Sequence, residues 1–133
     1  MVVRGPFDLP LGFSRDKKGT PVLKNLLSDK SPVRVSRLKK VLTVISESEW
    51  RYPDRPIIQL GLPYLFTADE TVFMSKISPF LHYGDKNSLP GTIFGGRFPI
   101  DFWPRPLMWE FECHNFEKVI RLKLGQPLFF LSV

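Results

Sequence analysis

Glu110, Glu112 and His114 stand at alternate positions in LMWEFECH, residues 107–114. On a strand, alternate side chains share a face roughly 7 Å apart, close enough for two carboxylates and an imidazole to converge on one cation. Such donors suit iron, manganese or zinc, and His82 or Asp85 could complete a two-histidine, one-carboxylate set with Glu112 and His114. That arrangement would make the chain a cupin-like metal-dependent enzyme. A plainer reading competes with it. If residues 107–114 pair antiparallel with 119–124 around a turn between Phe116 and Glu117, Glu112 falls opposite Arg121 and Glu110 opposite Lys123. Cross-strand ion pairs of this kind contribute about 0.2–1 kcal/mol each and occupy both carboxylates. His82-Tyr83-Gly84-Asp85 has no metal-ligand spacing of a known metalloenzyme, so the ladder is the favoured expectation and the expected cofactor is none.

Arg105 is the second pointed residue. Pro104 and Pro106 hold its backbone extended, and Trp103 and Trp109 are near in sequence. A guanidinium so fixed could stack on indole or clamp a carboxylate or phosphate. The prolines could equally blunt an edge and turn the strand, leaving Arg105 to pair with Asp101. Arg97, beside Gly95-Gly96, joins it as a candidate anion or partner contact. Other enzyme signatures are wanting: GTIFGGR lacks the lysine and Ser/Thr of a phosphate loop, and the serines have no nucleophile-elbow setting. Cys113 shares the apolar strand face with Leu107, Trp109 and Phe111, where a thiol is packing.

The elements that must position these residues follow from composition. A chain of 133 residues, 43% hydrophobic and 14% aromatic, suffices for one domain with a real core. Its 13 prolines and 9 glycines break long helices and leave short strands joined by turns. The expected fold is mainly β, with α+β as the alternative: a compact sandwich or a jelly-roll, cupin-like barrel carrying one or two short N-terminal helices. Residues 1–19 read as an extended arm and 20–133 as a single β-rich domain whose start, 20–48, is basic and partly helical. Thr20-Pro21 and Ser31-Pro32 are helix-start signals; Val22, Leu23, Leu26 and Leu27, then Leu38, Val41, Leu42 and Ile45, give apolar stripes at helical spacing, although KVLTVIS is β-branched enough for a strand. IIQLGLPYLF, ETVFMSKI, LMWEFECH, VIRLKL and LFFLSV read as strands, the last apolar on both faces and therefore central or covered. HYGDKNSLPGTIFGGRF reads as a long loop and a binding edge.

Charge is uneven. Residues 1–60 hold 12 of the 19 basic side chains and 6 of the 13 acidic ones, so the net +6 lies wholly in this part. Lys17, Lys18, Arg34, Arg37, Lys39 and Lys40 are its core and could contact nucleic acid, although a basic patch alone reads no bases. With one cysteine there is no internal disulfide, and no apolar run reaches membrane-spanning length or resembles a leader, so a cytoplasmic location and no membrane partner are expected.

Gly96-Arg97-Phe98-Pro99-Ile100, Trp103-x-Arg105-Pro106-Leu107 and Gly125-x-Pro127-Leu128-Phe129 occur in this order, and over about residues 50–133 the chain resembles an uncharacterised family of bacteria and their phages. The resemblance implies no activity, cofactor or catalytic residue. It implies a host-cytoplasm or virion setting if phage-encoded, and a natural chain that continues beyond Val133. The combined expectation is a non-enzymatic binding or structural module, phage-associated, that meets a protein partner or another copy of itself through the basic first third or the 82–97 loop; the metal enzyme and a nucleic-acid-binding accessory protein are the alternatives.

Overall fold

The computed structural model describes residues 1–27, 30–32, 34–82, 89–101 and 105–133, without the side chains of Val35, His82 and Arg105. The fold is mainly β, eleven strands and one helix among the described residues: β1 Val2–Arg4, β2 Leu9–Arg15, β3 Pro21–Asn25, α1 Val35–Val41, β4 Leu42–Val44, β5 Ile57–Phe66, β6 Phe73–Ile77, β7 Gly91–Ile93, β8 Gly96–Pro99, β9 Arg105–Cys113, β10 Ile120–Leu122 and β11 Pro127–Ser132. They form three antiparallel sheets: I in the order β1-β11-β6-β8, II in the order β10-β2-β3, and III in the order β4-β5-β9-β7.

The inner faces of all three sheets supply one core in the manner of a sandwich. Sheet III contributes Ile58 and Leu60, set opposite Phe111 and Trp109. Sheet II contributes Leu9 and Leu11, set opposite Leu122 and Ile120, and sheet I contributes Val3, Phe129, Leu131 and Met74. Trp109 is fully buried and stacks on Phe111 with ring centroids 4.7 Å apart. β11 lies between β1 and β6, the central position its two apolar faces predict.

Several expectations are corrected. Residues 1–19, expected as an arm, contribute β1 and β2, and Leu9 and Leu11 are fully buried. The helix expected from Thr20-Pro21 is strand β3, because Val22 and Leu23 pair with Ser14 and Phe13 across a hairpin. Asp16 makes that hairpin: its carboxylate accepts the backbone N–H groups of Lys18 and Thr20, and Gly19 takes φ +81°. The stripe Leu38–Ile45 divides, α1 ending where β4 begins. The expected 82–97 loop holds β7 and the start of β8; its residues 83–88 lie outside the described part.

The largest correction concerns β9. It does not pair with residues 119–124, because along residues 111–113 both its edges are taken, by β5 on one side and β7 on the other. The turn at 115–119 instead carries the chain to sheet II, where Arg121 of β10 sits opposite Pro10.

Gly91 is fixed by that packing, since an added Cβ would overlap the Glu112 carbonyl and the Phe111 ring. Gly91→Ala is expected to cost about 1–3 kcal/mol by overpacking. Gly96→Ala, where an added Cβ would meet only the Phe98 ring at ordinary van der Waals distance, should change stability by less than about 0.5 kcal/mol. Urea denaturation of the two variants checks the pair.

Candidate ligand-binding cleft

β7 is short, and its pairing with β9 ends at Ile93 and Phe111. Phe94 N–H continues the ladder for one more step by donating to the Glu110 carbonyl. The next carbonyl along that edge, Met108, receives no strand donor among the described residues. It accepts from Lys76 Nζ at 3.0 Å. Lys76 belongs to β6 of sheet I, in phase with Met74 and opposite the buried Leu131, so it projects inward and is only 5% exposed. Its ammonium also donates to the Glu110 carboxylate and sits 5.8 Å from the centre of the Phe129 ring. Gln59, opposite Glu110 on β5, donates to the other carboxylate oxygen at 3.4 Å. A lysine thus replaces the missing strand, and Pro106, without an N–H, withholds a donor from the segment below.

Where β9 runs on past β7, sheets I and III stand apart. The gap is a cleft of about 450 Å³, walled by Phe66, Met74, Phe98, Ile100, Leu107 and Met108, with the Lys76–Glu110 pair as its charged feature among the described residues. This volume falls within the roughly 300–1,000 Å³ of small-molecule sites, as does the pattern of apolar walls with few polar groups. The ion pair carries no net charge.

Neither Lys76 nor the cleft was singled out in the sequence. A signal was present: in FMSKI, strand alternation places Lys76 on the face of Met74 and opposite Phe73 and Ile77. Hydrophobicity argues that the phenylalanine and isoleucine face inward, whereas Phe73 and Ile77 are exposed and the lysine is buried.

The three candidate metal residues are not brought together among the described residues. Glu112 is buried, and its two oxygens accept from Arg51 at 2.8 and 2.9 Å, with the Arg51 guanidinium 5.2 Å from the Phe94 ring centre. The hydrogen bonds to Glu112, then its charge, hold Arg51 above its ordinary pKa range. A cation at Glu112 would have to displace this bidentate partner. His114 is exposed beyond the end of β9, and the His82 side chain and Asp85 lie outside the described residues. No group of three His, Cys, Asp or Glu suited to a metal occurs among the described residues. The expected partners of the carboxylates are corrected as well: Glu112 meets Arg51, not Arg121, and Glu110 meets Lys76, not Lys123.

Arg105 opens β9 opposite Phe66, and its side chain is outside the described part. Asp101, its expected partner, has a buried Oδ1 that accepts no hydrogen bond among the described residues. Arg97 is exposed and lies 5.0 Å from the centre of the Phe73 ring. Lys17 and Lys18 are exposed at the β2–β3 turn, and Arg34, Arg37, Lys39 and Lys40 are exposed at the start of and along α1, where Leu38 is buried. None of them lines the cleft. Arg15, beside that turn, is paired at 2.8 Å with Glu47, and the hydrogen bond holds the Glu47 carboxyl below its usual range.

Two measurements follow from the buried groups. Lys76 is buried but its partner Glu110 is 29% exposed, so Lys76→Met leaves a carboxylate that water partly reaches and should cost about 1–3 kcal/mol, with Glu110→Gln added recovering some of it, in denaturant unfolding. Burial pushes the Cys113 thiol up to about 12 from 9.0, with Glu112 adding to the effect. The thiol stays protonated in the fold after it would ionise in the unfolded chain, so its contribution to stability is intact below about pH 9 and is lost as pH rises towards 12. Native protein should resist thiol alkylation at pH 8 and react fully once unfolded, with Cys113→Ala removing this component of alkaline sensitivity.

No known protein family matches the chain, and neither a curated protein nor a solved structure does so.

Proposed function

We propose that the chain is a non-catalytic binding module whose ligand occupies the cleft between the end of β9 and the β6–β8 edge of sheet I. The observation that carries this reading is the cleft itself: about 450 Å³ with aromatic and aliphatic walls and a charge-neutral Lys76–Glu110 pair. Apolar walls supply affinity through area removed from water, and one fixed polar pair supplies orientation. An extended peptide added to the β9 edge fits less well. The Met108 carbonyl is already engaged by Lys76 and Pro106 cannot donate, so the edge offers poor main-chain pairing. A small molecule needs no such ladder.

Nile red, a neutral dye that fluoresces in apolar surroundings, tests the reading. Saturable binding at one dye per chain is expected. Met108→Trp, which fills the cleft from a partly exposed wall position, should weaken it at least tenfold while leaving the unfolding midpoint nearly unchanged. Absence of saturable binding, or equal binding by the variant, would overturn the assignment.

A further inference from the structure

Resting on that cleft, we infer that its ligand is an apolar molecule ending in a neutral group with both a hydrogen-bond acceptor and a donor, of which a carboxamide is the simplest chemical form. The argument starts from the unused capacity of the ion pair. An ammonium has three N–H donors. Among the described residues Lys76 commits one to the Met108 carbonyl and one to Glu110, which leaves one for a ligand carbonyl. A carboxylate offers about four acceptor sites. Glu110 receives Lys76 on one oxygen and Gln59 on the other, the latter at 3.4 Å, so it can accept a further donor. Acceptor and donor needs therefore lie side by side, as they do across one amide group.

Charge narrows the class. A carboxylate head placed against Lys76 would lie beside Glu110, and an amine placed against Glu110 would lie beside Lys76, so each is attracted by one half of the pair and repelled by the other, and little net attraction offsets its lost hydration. A neutral head meets no such repulsion and leaves the existing ion pair intact. The walls decide the remainder of the molecule. The side chains of Phe66, Met74, Phe98, Ile100 and Leu107 are apolar, so a polar body would enter by giving up much of its hydration.

Displacement of Nile red by decanamide, decanoate and decylamine, which share one apolar body, tests the inference at pH 7. Decanamide should compete at least tenfold more strongly than either charged analogue. In Glu110→Gln the carboxylate is gone and the shape is kept, so Lys76 stands unbalanced and decanoate should gain at least tenfold relative to decanamide. Equal competition by decanoate and decanamide in the unaltered protein, or no change of preference in Glu110→Gln, would overturn the inference while the cleft assignment stands. If Nile red binds and none of the three displaces it, the inference also falls. If Nile red itself does not bind, the cleft assignment falls and takes the inference with it.

Discussion

The stack of Trp109 on Phe111, buried along the middle of β9, is the contact around which the molecule is arranged. Burying two aromatic rings of this size requires cover from several directions, and the three sheets provide it. β5 supplies Ile58 and Leu60 alongside, and sheets I and II close the opposite side with Phe129, Leu131, Leu9 and Leu11. Once the odd-numbered side chains of β9 are fixed inward, its even-numbered residues turn away from that face, and Glu110 and Glu112 are left to pair with cations brought by other elements. They find Lys76 and Arg51 from different parts of the chain.

Local alternation was legible wherever it was strong. LMWEFECH, IIQLGLPYLF and LFFLSV are the strands their patterns predict, and the inward face of Trp109, Phe111 and Cys113 is the expected one. Pairing was much less legible. Glu112 and Arg51 are 61 residues apart, and Lys76 and Glu110 are 34 apart. Nothing in the spacing of either segment encodes its partner, whereas the nearby Arg121 and Lys123 offered a short hairpin that satisfied both carboxylates on paper. The fold rejects that hairpin because β9 has no vacant edge along residues 111–113.

The basic first third is ambiguous in sequence for a related reason. Short apolar runs such as PVLKNLL satisfy helical and strand periods alike, and a tertiary neighbour decides between them. Here β2 is that neighbour, and it comes from a segment whose glycines, prolines and charges disguise Leu9 and Leu11 as part of an arm. Lys76 was hidden in the opposite way. Its strand phase was plain, but a buried lysine contradicts the usual ranking of residues by burial. The exception coincides with the open end of β9 and with the cleft, as expected where a local rule is broken in favour of a site.

The order of strands in sheet I sets a timetable for folding. β1 leaves the ribosome before the other strands, yet its hydrogen-bonded neighbour is β11, and β11 also joins β1 to β6 and β8. Sheet III, by contrast, is assembled wholly from residues between 42 and 113. During synthesis the aromatic stack can be built on one side while the sheet that should cover it is still missing its centre. For that interval the nascent chain carries a half-covered apolar surface and unpaired strand edges, the state most open to chaperones and to premature association.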